Sequence, residues 1–146
     1  GKDSGNKMKH KRVDQGYLIR IDKGEKLVES ILKFCRELRI NSAWFSGIGS
    51  VSEINLAYFN VEKKEYSREK IEVPVEIVSM IGNVALFENK HAVHAHVVVS
   101  NAKMDTQAGH LNEAVVSGTC EIFLTDLKAK IERKHREEIG LNLLDI

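Results

Sequence analysis

The sequence predicts an α+β domain: a curved, mostly antiparallel sheet with one principal helix packed against it. One stretch alone, residues 25–38, repeats its apolar side chains at helical spacing, whereas six later stretches are rich in Val, Ile, Phe and Tyr and are separated by clusters of Gly, Asn, Asp and Lys. A length of 146 residues, with 42% hydrophobic and 29% charged residues and a single proline, is that of one compact domain.

The chain opens on a basic segment. Residues 1–12 carry Lys2, Lys7, Lys9, Lys11 and Arg12 against Asp3, so a formal +4 is concentrated there and the remaining residues carry −3 of the total +1. The segment is polar and aperiodic, and it is expected to be a disordered basic tail ahead of a single domain at residues 13–146. Between Val13 and Ile21, Tyr17, Ile19 and Ile21 alternate with Leu18 and Arg20, a strand pattern ended by the turn Asp22-Lys23-Gly24. In the helix, Leu27, Val28, Ile31, Leu32, Cys35 and Leu38 form one stripe, opposite Lys26, Glu29, Ser30, Lys33, Arg36 and Glu37. At roughly 1.5 Å per residue this helix is about 20 Å long, enough to cover one face of a sheet. Strands are expected at 43–51, 53–61, 73–84, 92–100, 104–111 and 115–124, with Pro74 at a strand start where a missing N–H is tolerated. Trp44, Phe45 and Phe59 are expected to fill the core under the helix, and Cys35 and Cys120 to be small core residues, since each lies in an apolar segment and two thiols make no disulfide framework.

Several functions are excluded or disfavoured at this level. The apolar runs, such as Val97-Val98-Val99, fall far short of the roughly 18 residues of a membrane-spanning helix. No apolar segment succeeds the lysine-rich start, so a cytoplasmic protein is expected. Gly47-Ile48-Gly49-Ser50-Val51-Ser52 has the look of a phosphate-cradling loop, but the next stretch, Ile54 to Val61, is β-branched and aromatic instead of helical, so the glycines are read as a tight turn or bulge between strands. The basic residues Lys128, Lys130, Arg133, Lys134 and Arg136 alternate with Glu132, Glu137 and Glu138, which reads as a solvated face. Tyr58 and Tyr66 are too scattered for a base-stacking platform.

The histidines carry the chemical signal. In Val93-His94-Ala95-His96-Val97 both imidazoles project from one face of a strand, roughly 6.5 to 7 Å apart at Cα, a separation that two Zn–N bonds of roughly 2.0–2.1 Å can bridge. Beyond the polar turn at Asn101-Ala102-Lys103, a hairpin folded about Ala102 brings His110 opposite position 94. Spacing alone also allows three unconnected histidines, on the surface or in the core. His10, His91 and His135 are read as incidental. Glu121 is a general-base candidate beside a metal-bound water, against a reading as a solvated strand residue, and Asp105, Thr106 and Gln107 are further polar neighbours of Gly109-His110.

His94-Ala95-His96, Gly109-His110-Leu111 and Gly118-Thr119-Cys120-Glu121 resemble the plants and prokaryotes conserved (PPC) domain family. Gly24-Glu25, Ile48-Gly49-Ser50-Val51, the run Glu76 to Asn83 and the ending Glu138 to Leu144 resemble further family blocks in the same order, over about residues 13–146. Ala108 stands where the family usually has the first glycine of a Gly-Gly-His-Leu run, and Cys120 replaces a commonly small residue. The resemblance implies a PPC-like α+β fold assembling as a homotrimer, and a metal, zinc by family habit, at the positions matching His94, His96 and His110. The sequence carries no AT-hook of the kind the plant relatives attach, so their DNA binding does not transfer directly. The expected function is therefore a trimeric, metal-containing binding module, DNA-associated or regulatory, with only weak, non-specific DNA contact through the basic tail, no membrane partner, and room for a small-molecule ligand at the metal. The alternative is a metalloenzyme, hydrolase or lyase, using an open three-histidine zinc site; no catalytic residue is assigned.

Overall fold

A computed structural model of the protein describes residues 7–146. Among the described residues, nine strands and one helix run in the order β1 (Lys9–Val13), β2 (Gly16–Asp22), α1 (Leu27–Leu38), β3 (Ala43–Asn60), β4 (Glu65–Ile71), β5 (Val75–Phe87), β6 (Lys90–Ser100), β7 (Thr106–Asp126), β8 (Arg133–Arg136) and β9 (Leu141–Leu144). Seven of them form one sheet in the order β1-β2-β7-β6-β5-β3-β4, and β7 also pairs with β3. The pairings β3–β5, β5–β6, β6–β7 and β7–β3, all antiparallel, therefore close into a circuit around a core that includes Phe45, Ile77, Met80, Ala95, Val97, Val99 and Leu111. Closure needs bending, which irregularities supply between Gly47 and Gly49, Val51 and Glu53, Asn55 and Leu56, and Ile77 and Ser79.

These irregularities explain why expected pairs of short strands are single long ones. The polar breaks near Ser52 and Glu113 are bulges within β3 and β7, not turns, so β3 runs for 18 residues and β7 for 21. Gly49 is required at its bulge, since a Cβ there would stand 2.6 Å from the Thr119 carbonyl oxygen and 2.7 Å from Cys120 Cα.

Helix α1 lays Leu27, Ile31, Phe34 and Cys35 on the sheet and leaves its charged face to solvent. Lys26, at the N-cap, offers no side-chain acceptor; instead the carboxylate of Glu113, reaching across from β7, accepts hydrogen bonds from the Val28 N–H (2.6 Å) and Glu29 N–H (3.1 Å), together with the Ala114 N–H (2.9 Å). At the other end Arg39, in left-handed conformation at φ 56°, closes the helix with its N–H on the Arg36 and Cys35 carbonyls. Cys35 and Cys120 are fully buried free thiols, and burial pushes each up to about 12.

Two expectations are corrected. Residues 9–12 are not a disordered tail: they belong to β1, paired in register with β2 from Lys9↔Arg20 to Val13↔Gly16. Backbone pairing orders this polar segment, and His10 anchors it by packing its ring 5.1 Å from Phe34 of the helix and 6.1 Å from Tyr17. Residues 1–6, the rest of the expected tail, lie outside the described residues. Trp44 is not in the core under the helix. Ala43 and Phe45 point inward, so strand alternation turns Trp44 to the outer face, where it is 52% exposed. Phe59 is half-buried and packs on Tyr66 instead, with ring centroids 4.8 Å apart.

Candidate metal centre

β6 alternates strictly: Ala95, Val97 and Val99 are buried, which leaves His94 and His96 on the outside of the sheet. β7 runs antiparallel to β6 and brings in His110, directly opposite His96. The hairpin is thus centred one residue later than a fold about Ala102 predicts. Its turn spans residues 101–105, with Met104 at φ 64°, and the Asn101 side-chain oxygen accepts from the Lys103 and Asp105 N–H groups, which fixes the wider loop.

The three imidazoles converge. Their centroids are 5.1 Å (His94–His96), 5.4 Å (His94–His110) and 5.7 Å (His96–His110) apart, and one ring nitrogen from each lies within 4.8 Å of the others. His94 Nε2 and His96 Nε2 are 3.3 Å apart. Two ligands on a tetrahedral zinc with bonds near 2.0–2.1 Å stand about 3.3 Å from one another, so this pair already spans one edge of such a polyhedron. Three imidazole nitrogens are a donor set suited to zinc and its neighbours among the transition metals.

The electrostatics favour the neutral, ligating form. The crowded ring of His94 is pushed down to about 4, first by burial, then by Arg133 and by the other two histidines. His110 is lowered by burial, then by His96 and Arg68. Such imidazoles hold no proton near neutrality that a cation must displace.

The surroundings come from elements that hydropathy does not reveal. Tyr66 on β4 tilts against His110 with centroids 5.7 Å apart, and Arg68 places its guanidinium carbon 5.6 Å from the Tyr66 ring centre. Arg133 on β8 donates to Asn83 Oδ1 (2.7 Å) and to the Asn142 carbonyl (2.9 Å), and Asn83 is the β5 partner of His94. The basic stretch after residue 127 is therefore not simply a solvated face, because Arg133 is drawn into this network.

The other sequence candidates lie elsewhere. Glu121 is eleven positions beyond His110 on β7, exposed, and paired with Arg20 and Ile48. Asp105 belongs to the hairpin turn, and Thr106 and Gln107 pair with Ser100 and Val99. His91 bonds the Ile40 carbonyl at 2.9 Å, and His135 bonds Asn142 Oδ1 at 2.9 Å.

A second surface adjoins the histidines. Along the pairings leading away from His96, the row continues through Ile81, Ser46, Phe123 and Leu18. Around it lies a groove of about 620 Å³ whose walls include the half-exposed Ile48 and Val78 and whose rim carries Lys9, Lys11, Arg20 and Glu121.

Fold and site together define a class: a one-helix, antiparallel-sheet domain with three histidines gathered on one outer hairpin. The chain belongs to the Plants and Prokaryotes Conserved domain family, whose model matches residues 8–128. Among solved structures it is similar to a plant- and prokaryote-conserved protein from Pyrococcus horikoshii, with 38% identity, coverage of 95% of this chain and 94% of that one, and a TM-score of 0.85. It is similar to a metal-containing protein from Archaeoglobus fulgidus at 36% identity, covering 92% of this chain and 96% of that one, with a TM-score of 0.85. A protein from Bacteroides thetaiotaomicron described as a candidate DNA-binding protein superposes with a TM-score of 0.92 at 28% identity, covering 96% of this chain and 98% of that one. No curated protein sequence matches the chain at a significant level.

Proposed function

We propose that this chain is a cytoplasmic, homotrimeric, metal-containing PPC-domain module that binds a transition metal, zinc in the first instance, through His94, His96 and His110. The observation that carries the reading is the convergence of three ring nitrogens within 4.8 Å on one hairpin. The metal-containing relative from Archaeoglobus fulgidus supports it. Protein purified without added metal is expected to carry about one ion per chain by elemental analysis, and His96→Ala to lose most of it with a lower Tm. Metal content unchanged in that variant sinks the three-histidine reading.

The trimer is supported by the outer apolar face, where Leu18, Trp44, Ile48, Val78 and Ile81 are each about half exposed. A contiguous patch of this kind on a folded domain marks an interface, and the family resemblance supplies the symmetry. Light scattering is expected to give three times the monomer mass of 16.5 kDa; a monomer at micromolar concentration contradicts it.

Contact with DNA, suggested by the description of the Bacteroides relative, is assigned to the basic N-terminal residues. Lys2, Lys7, Lys9, Lys11 and Arg12 provide at most about five phosphate contacts, so binding is expected to be weak, sequence-independent and to fall with salt at a log-log slope no steeper than roughly −4.5. Tight, sequence-selective binding after deletion of residues 1–12 overturns that assignment. No helix among the described residues is long and apolar enough to cross a membrane. Two buried free thiols suit a reducing cytoplasm.

The second reading, a metalloenzyme, is favoured by the exposure of His94 and His96, since three protein ligands leave a solvent-facing position on the cation. A metal so held supplies Lewis acidity and an activated water; hydrolase or lyase chemistry is tested by comparing turnover in the wild type and His96→Ala.

A further inference from the structure

We propose that the histidine centre is an anion receptor, in which a small oxyanion of the carboxylate or phosphate class takes the open side of the cation and is held by Arg133 and Arg68. This rests on the metal reading above and deepens it by naming the ligand class.

The placement of the two arginines carries the inference. Paired residues of an antiparallel sheet share a face, and the pairings put Arg68, Ala57, His110 and His96 in one row across β4, β3, β7 and β6. Between Arg68 and His110 stands only the methyl group of Ala57, so no tall side chain in the row separates the guanidinium from the imidazole. Tyr66, two residues before Arg68 on the same face, contacts both neighbours: its ring centre lies 5.7 Å from that of His110 and 5.6 Å from the Arg68 guanidinium carbon. On the opposite flank, Arg133 is fixed by Asn83 Oδ1 at 2.7 Å and the Asn142 carbonyl at 2.9 Å, and Asn83 is the cross-strand partner of His94. Two bonds hold the guanidinium in place and leave further N–H donors free.

Charge makes this arrangement specific. Among the described residues, Arg12, Arg39, Arg68 and Arg133 have no carboxylate within salt-bridge distance, whereas arginines 20, 36 and 136 each do, and of the four only Arg133 is withdrawn from solvent. Arg133 is partly buried, and a desolvated cation without a counter-ion is unfavourable unless a ligand supplies one. A divalent ion with two guanidiniums beside it selects an anion, and guanidinium forks match the paired oxygens of carboxylate and phosphate.

The test uses the full chain loaded with Co(II), whose visible absorption reports the coordination of the ion directly. Sodium acetate and inorganic phosphate are titrated separately at constant ionic strength. A saturable change in the cobalt bands with at least one of them is expected, and which one saturates identifies the source class. Arg133→Gln is expected to weaken that anion about tenfold or more, as loss of a charge-assisted bond does, with Arg68→Gln weakening it in the same direction. Lys134→Gln, on β8 but paired with Asp145, is expected to leave it unchanged. Arg68→Gln serves as the second variant should Arg133→Gln loosen the β8–β9 hairpin, because β4 is an exposed edge. Cobalt spectra of the wild type that respond to neither anion, or equal anion affinity in the wild type and both arginine variants, overturn the inference while the metal reading stands. Failure of the wild type to take up cobalt at all overturns the metal reading, and this one with it.

Discussion

Glu113 and His110 lie three residues apart on β7, and each brings together partners from distant parts of the chain, yet they end in opposite conditions. The Glu113 carboxylate receives three backbone N–H groups, two of them from the first turn of α1, and so its acceptor capacity is met by the protein itself. His110 meets two more imidazoles, and one ring nitrogen from each of the three lies within 4.8 Å of the others. The first cluster is closed and does structural work: it replaces a missing N-cap and ties the helix to the sheet. The second gathers donor nitrogens on the outer face of one hairpin, and it is there that the proposed ion would be held. A polar cluster whose partners are backbone groups of the same chain acts as a staple, whereas one made of side-chain donors on an outer face is the kind of place where a ligand can bind.

The sharpest way to break the comparison is to exchange the outcomes. His96→Ala is expected to take metal content from about one ion per chain to nearly none, while Glu113→Ala leaves metal content unchanged; loss of metal in both variants means the two clusters are one cooperative unit. The next effect in size is on stability without metal. Glu113→Ala is expected to lower the unfolding free energy by about 1–2 kcal/mol, the range for a lost helix cap, whereas His96→Ala in metal-free protein changes it much less, as chemical denaturation of both variants will show. The smallest effect is pH dependence. His94, near 4 when folded against about 6.5 when unfolded, takes up its proton first in the unfolded chain, so its contribution is complete above about pH 6.5 and is lost as pH falls toward about 4. His110 acts in the same direction. Metal-free protein should therefore melt at a lower temperature at about pH 5 than at about pH 7, and His94→Gln should show a flatter profile.

How much of this is legible in the sequence differs between the same two regions. The helix and the central strands announce themselves because their faces are unequal: Leu27, Ile31 and Cys35 at helical spacing, Ala95, Val97 and Val99 at strand spacing. The shared face of His94 and His96 comes from the same alternation, and His110 from the adjoining hairpin. The register does not, because it depends on how many residues the turn consumes, and Asn101 with Met104 consumes five positions, 101–105. β1 and β4 are nearly all polar edge strands, so no hydropathy pattern marks them, and Tyr66 and Arg68 are hidden with them. Arg133 and Glu113 act on groups brought near only by strand order. Trp44 misleads for a related reason: the outer face is also apolar, so an aromatic residue there has the same sequence signature as one in the core.

The wrapping of β7 around three partners also separates the order in which contacts can form. His96 and His110 pair across a separation of 14 residues, whereas the β3–β7 seam that closes the circuit joins Ala43 to Asp126, 83 residues apart. By loop-closure entropy the long seam is harder to close by about 1.5 kcal/mol. All three imidazoles lie on the short side of that difference. The donor set is therefore easy for an unfolded chain to assemble, and it needs only one hairpin, while the barrel behind it waits on pairings several times more distant in sequence.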